Sequence, residues 1–132
     1  MDEINVHVEA EINPTESEEK VRRAVENTLG PMPMQVKPLR RGSLLIADAR
    51  GQETLTKLYN LLIRERVRAA ARKVFLRGLE KKAVNFCLNK QVAYAGHISF
   101  SEETGESPLG PIKVKIKCQN PRQLVNWLTS TT

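Results

Sequence analysis

Residues 64–82 read RERVRAAARKVFLRGLEKK, a cationic run with only Glu65 and Glu80 to dilute it. Ion pairing within a helix therefore cannot neutralise it. At roughly 100° per residue, Arg66, Lys73 and Arg77 fall within about 40° of one another. Val67, Ala71, Val74 and Phe75 lie on the opposing side, as a core face would. Arg64, Arg68 and Arg72 follow at four-residue steps and flank that apolar face. Arg outnumbers Lys in the run. The planar guanidinium holds a phosphate through two parallel hydrogen bonds, where an ammonium offers a point charge. A merely solvated face normally carries interspersed acids. The chemistry these residues suit is anion binding, and phosphate above all. The alternative for Arg64 and Arg72 is a salt bridge to acids of the first third, within the chain or across a dimer.

Two other polar stretches could join this surface. Arg40-Arg41-Gly42-Ser43 is a second basic turn, where glycine lets the backbone approach closely and the hydroxyl can donate. In CLNKQVAYAG, residues 87–96, apolar alternation on either side predicts a hairpin. Its tip would send Lys90 and Gln91 outward, a mix suited to ribose hydroxyls or polar edges. Asn89 is a routine turn residue. Tyr94 is expected to pack with its hydroxyl bonded, and Gly96 to mark a bulge or a close approach of the backbone.

Catalytic constellations are not visible. His7 and His97 both fall on alternating strand faces, as surface residues do. Neither has metal-ligand spacing to the other, to Cys87 or to Cys118. Glu102, Glu103 and Glu106 read as a hydrated acidic loop, and GESPLGP as a turn without a following helix to aim amides at a phosphate. An enzyme would need His97, Tyr94 and Glu106 to converge. The expectation is a protein with no catalytic residues, no metal and no cofactor.

The charge layout supports a polyanionic partner. Residues 1–36 carry 3 Lys/Arg against 8 Asp/Glu, residues 37–90 carry 14 against 4, and residues 91–132 carry 4 against 3. The net +6 is thus a dipole, acidic first and basic in the middle, and such layouts steer polyanions and orient partners. Aromatics are 5% of the chain, so base stacking is not expected to be the main device. The two cysteines lie in apolar strand patterns and are expected to be buried thiols of a reducing compartment. No apolar run approaches the ~20 residues of a membrane span, and no positive segment opens a signal peptide. A cytoplasmic setting without membrane contact is expected.

The elements that must position these groups read clearly in part. Residues 3–12 alternate strictly, as a half-buried strand does. A helix follows over 15–29, capped by Thr15 or Ser17 and stopped by Gly30-Pro31. Residues 32–39 are a short extended piece weakened by Pro33 and Pro38, and SLLIADA a strong strand. Helical spacing runs from Gly51 to Leu79; one long helix or two joined near Arg66 both fit, and the length of the run favours a break. Strands over 83–89, 92–100 and 112–118 follow, the last with Lys113, Lys115 and Lys117 outward. Asn120-Pro121 opens a final helix. The sum is one α+β domain over 1–132, an antiparallel sheet with helices on one face.

FCLNKQVAYAGHISF, with ESPLGPIKVKI after it and RERVRAAARKVFLRG before it, resembles a family over essentially the whole chain. It is an uncharacterised, conserved archaeal family labelled RNA-binding. Its fold is similar to that of the ribosomal protein that holds 5S ribosomal RNA. Asn89-Lys90-Gln91, Tyr94, Gly96 and Ser107-Pro108-Leu109-Gly110-Pro111 carry the resemblance, and Arg72-Lys73 fits the family's alanine-arginine helix. An acid usually stands in that family where this chain has Ala69, and an aromatic where it has Cys87. The resemblance implies an archaeal source, a cytoplasmic setting and pairing as homodimers. Residues and resemblance together predict non-catalytic binding of structured RNA, ribosomal RNA included. Arg40, Arg41, Arg64, Arg66, Arg72, Lys73, Arg77, Lys90 and Gln91 would be its contacts. The competing expectation is a homodimeric interaction protein whose arginines meet the acidic first third.

Overall fold

The alternation of the first strand fixes which side of the sheet becomes the core. Every second residue from Ile4 to Ile12 is buried, while Asn5, His7 and Glu9 stay half-exposed on the other face. A computed structural model describes residues 3–101 and 110–130. In chain order the elements are β1 (Asn5–Ile12), α1 (Glu18–Leu29), β2 (Met34–Pro38), β3 (Ser43–Arg50), a 3-10 turn (Gln52–Leu55), α2 (Thr56–Arg64) and α3 (Arg68–Arg77). Then come β4 (Ala83–Leu88), α4 (Lys90–Tyr94), β5 (Phe100–Ser101), β6 (Ile112–Lys117) and α5 (Pro121–Thr129). The strands form one six-stranded sheet of order β2-β3-β1-β6-β4-β5, antiparallel at every pairing. The fold is α+β, as expected, with the helices over the apolar face.

Helix ends follow local chemistry. Ser17 caps α1, its hydroxyl accepting from the Lys20 amide, and Glu18 and Glu19 sit at the positive end of the helix. Val21, Ala24, Val25, Thr28 and Leu29 are buried, the stripe the spacing predicts. Asn120 caps α5 ahead of Pro121, and Trp127 stacks on Tyr59 of α2 at 4.8 Å between ring centroids. Phe75 of α3 is fully buried against Phe86 and Phe100, at 4.8 and 5.6 Å. Each such ring pair contributes about 0.5–1.5 kcal/mol beyond its buried area.

The break near Arg66 is present. Val67 N–H donates to the Leu62 carbonyl and Arg66 N–H to that of Ile63, the paired bonds of a Schellman ending. Arg66 takes the left-handed position, φ +56°, where glycine is usual. Gly42 also behaves as expected: with φ +76°, it brings its backbone against Ile12, and a Cβ there would sit on the Ile12 carbonyl oxygen.

Two expectations are corrected. Residues 92–100 are not a strand. Asn89 is a helix cap, its side-chain oxygen accepting from the Val92 amide at 3.0 Å, and Lys90–Tyr94 form α4. Only Phe100–Ser101 pairs with β4. The alternation of Val92 and Tyr94 misleads because Ala93 between them is the fully buried residue. One of the two cysteines also differs from expectation. Cys118 is buried, and burial pushes its thiol up. Cys87 is half-exposed on the other face of β4 from Phe86 and Leu88.

Candidate nucleic-acid interface

The cations of the 64–82 run are sorted by what each one touches. Arg66, Lys73 and Arg77 are exposed, and among the described residues none of them is held by a carboxylate. Lys73 and Arg77 share a face of α3 one turn apart. Arg66 precedes the helix, so its position comes from the left-handed turn and not from the wheel. The inner arginines are engaged elsewhere. Arg72 donates to the Asn126 amide oxygen at 2.8 Å and the Thr129 hydroxyl at 3.3 Å, tying α3 to α5. Arg68 donates to the Ser130 carbonyl at 2.7 Å. Arg64 is exposed, donates to the Gly96 carbonyl at 2.9 Å and lies 3.8 Å from Glu65. Neither Arg64 nor Arg72 reaches the acidic first third within the chain, so that intrachain salt bridge is not formed.

Arg40 and Arg41 are exposed in the turn from β2 to β3. That turn and α3 belong to opposite sides of the sheet. α3 meets β4, three to four strand spacings away, or roughly 14–19 Å. The two basic clusters are therefore separate.

Closer to α3 are cations whose outward alternation was visible but whose neighbourhood was not. Lys113, Lys115 and Lys117 of β6 face away from the core, and the register sets Lys115 beside Asn85 of β4 and His7 of β1. The end of α3 folds over the outer side of β4. A groove of about 670 Å³ results, lined by Val74 and Arg77 of α3, Phe100 of β5 and Lys113 and Lys115 of β6. Lys115 also lies 3.4 Å from Glu80, whose carboxyl is held below its usual range, first by Asn85 and then by Lys115. Arg77 of α3 and Lys113 and Lys115 of β6 thus form one band along this groove.

Beside that band the open sheet face carries a histidine between two acids. His7 bonds Asp48 through Nδ1 at 2.6 Å and Glu9 through Nε2 at 2.9 Å. Both ring nitrogens can donate only in the imidazolium form. The bond to Glu9, then that to Asp48, raises its pKa above 6.5 against a smaller opposing effect of burial. A raised folded value means the contribution to stability is complete below about pH 6.5 and fades as pH rises through the folded pKa. With the side chain about a third exposed the effect is small. The expected result is a urea midpoint that falls slightly above neutral pH in the wild type and not in His7→Asn. Parallel curves for the two proteins would remove the clamp from the account. Among the described residues no three His, Cys, Asp or Glu side chains gather as a metal site.

At α4 the placement departs most from expectation. Lys90 is 4% exposed. Its Nζ donates to the Glu11 carbonyl and to both Glu16 carboxylate oxygens, at 3.1 and 3.3 Å. Asn13 closes the same carboxylate through its backbone and side-chain N–H groups. Lys90 is an internal tie and offers nothing to a ligand at the surface; the hairpin tip that would have exposed it is a capped helix. Gln91 does stay exposed, in the first turn of α4. Tyr94 is 40% exposed instead of packed, with the Lys20 ammonium 5.5 Å from its ring centroid. His97 lies in a loop, bonded to Glu65 at 3.0 Å, and that bond holds the Glu65 carboxyl below its usual range. Glu102, Glu103, Glu106 and the Ser107-Pro108-Leu109 stretch lie outside the described residues.

Comparison with known proteins places this geometry in a family. A family model described as RNA binding matches residues 5–118. A UPF0201 protein of Pyrobaculum arsenaticum is 41% identical over 130 residues, covering 98% of this chain and 91% of its own. One from Sulfolobus acidocaldarius is 39% identical over 127 residues, covering 96% and 88%. The crystal structure of a UPF0201 protein from Methanococcus jannaschii superposes with a TM-score of 0.85 at 26% identity, over 95% of this chain and 98% of that one. A DUF54 protein from Methanothermobacter thermautotrophicus shares the fold, with a TM-score of 0.70 at 19% identity over 98% of this chain and all of that one. No helix among the described residues is long and apolar enough to cross a membrane. The chain belongs to a conserved, uncharacterised archaeal family, UPF0201, whose model carries the description RNA binding.

Proposed function

We propose that this protein binds structured RNA through phosphate contacts, without catalysis. The binding surface would be the band from Arg66, Lys73 and Arg77 across the β4 edge to Lys113, Lys115 and Lys117. The observation that carries this reading is the exposure of Arg66, Lys73 and Arg77 with no carboxylate partner among the described residues. The family's description supports RNA as the polyanion. Arg64, Arg40 and Arg41 are additional exposed cations, and Gln91 an exposed amide, for a larger RNA.

Binding of a labelled RNA stem-loop, followed by anisotropy from about 50 to 400 mM salt, tests it. Log affinity should fall with log salt by about 0.7–0.9 per neutralised phosphate. Lys73→Glu with Arg77→Glu should remove most of the binding. Arg66→Gly separates charge from structure. It relieves the left-handed strain and should stabilise the fold by about 1 kcal/mol, while lowering affinity and flattening the salt slope. A shallow wild-type slope, or binding indifferent to these changes, would contradict the proposal.

A second reading rests on the open sheet face, where acids on β1 and β3 (Glu9, Asp48) lie beside the β6 lysines. Two copies could pair acidic half to basic half as a homodimer. This version dissociates in high salt with no RNA present, which sizing at two ionic strengths detects.

A further inference from the structure

Tyr94 is the aromatic ring that the band does not use. We propose that it is a stacking platform for one unpaired nucleobase of the bound RNA, a subsite that rests on the RNA reading above. Its backbone is fixed. The Asn27 amide donates to the carbonyls of Ala93 and Tyr94, both at 3.1 Å, and Lys90 anchors the other end of α4. Its ring is not fixed by packing: it is 40% exposed, and its hydroxyl has no partner among the described residues.

Two hollows adjoin the ring. One, of about 380 Å³, is lined by Thr15, Ser17, Lys20, Val21 and Gln91 and by the Lys90–Glu16 pair. The other, about 220 Å³, is lined by Ser17, Glu19, Lys20 and Arg23 beside the same ring. The larger hollow is of the size that takes a small ligand. Hydroxyls and an amide line it, so it offers donors and acceptors to a base edge.

Charge argues for a base here and not for a run of phosphates. Lys90 balances Glu16, and Arg23 pairs with Glu19 at 3.2 Å. Lys20 is left over, its ammonium already beside the ring. That cation can hold a single phosphate next to the stacked base. A stack of base, ring and ammonium gains from both dispersion and the ring quadrupole. Gly96, two residues on, accepts from Arg64, which sets that exposed cation beside the end of α4.

The test compares an RNA hairpin with an unpaired loop and a fully paired RNA duplex of equal charge. Tyr94→Ala should weaken hairpin binding about 10-fold, within the range for one lost stacking contact. Duplex affinity and the salt slope should stay as in the wild type, and Tyr94→Trp should restore hairpin binding. An unchanged thermal midpoint confirms that the variant is folded. If Tyr94→Ala binds the hairpin like the wild type, or loses hairpin and duplex equally, the platform is wrong while the RNA reading stands. If the wild type binds neither RNA, both fall together.

Discussion

Lys90→Met should destabilise the fold by about 3–5 kcal/mol, the usual effect of removing one partner from a buried ion pair. That is a large part of the ~5–15 kcal/mol that holds a domain of this size together. The ammonium does three jobs at one point. It neutralises Glu16, satisfies the Glu11 carbonyl at the end of β1, and joins the start of α4 to the loop before α1. Methionine fills the volume and supplies none of these. Glu16 would keep the two Asn13 donors but lose its cation, and a nearly buried carboxylate without a counter-charge is poorly tolerated. The double variant Lys90→Met, Glu16→Gln should regain much of the loss, because no charge is then left alone. Urea unfolding followed by Trp127 fluorescence measures both. A single variant within about 1 kcal/mol of wild type would show that water replaces the ammonium, and that α4 is not anchored this way. The same experiment bears on Tyr94, since a freed α4 no longer holds the backbone that carries the ring.

Lys90 also shows where sequence ceased to be informative. Its partners Glu16 and Glu11 are 74 and 79 residues away. No local pattern reports such a contact, so a lysine beside two amides looked like an exposed tip. The cap that turns residues 90–94 into a helix was legible in principle. Asn89 stands directly before them, and Ala93, Ala95 and Gly96 are small residues a tight helical turn accepts. Alternation of the larger residues outweighed that signal. Where amphipathic period and punctuation agreed, as in β1, α1, β3, β6 and α5, elements and buried faces matched. The cations of 64–82 were legible as charge and not as availability. Arg68 and Arg72 find partners on or just beyond α5, 54–62 residues away, and only coordinates separate them from Lys73 and Arg77. The β6 lysines joined the surface through topology. β6 lies between β1 and β4, and that adjacency is set by long-range pairing rather than by any local run of residues.

That adjacency matters to RNA only if α3 ends against β4, and one glycine permits it. Gly78 lies beside Asn85, whose amide donates to the Gly78 carbonyl at 2.9 Å. A Cβ at Gly78 would sit on the Asn85 carbonyl oxygen and 2.8 Å from its carbon. The obstacle is backbone, so no side chain can swing aside. Its φ is not in the left-handed region, so close approach, and not conformational freedom, is what demands glycine. Gly78→Ala must push the end of α3 off β4, losing the bond to Asn85 and loosening Phe75 in its aromatic cluster. Strain and lost bonding together amount to about 2–4 kcal/mol. Gly96→Ala is the comparison: nothing lies within 4 Å of its Cβ, so only left-handed strain of about 1–2 kcal/mol applies. The urea midpoints should rank wild type, Gly96→Ala, Gly78→Ala. Gly78→Ala should also bind RNA more weakly at temperatures where it remains folded, because Arg77 no longer shares a groove with Lys115. An unmoved midpoint would mean that α3 yields freely at its end. The band would then be an accident of packing, and the charges on α3 and β6 would have to be counted as separate surfaces.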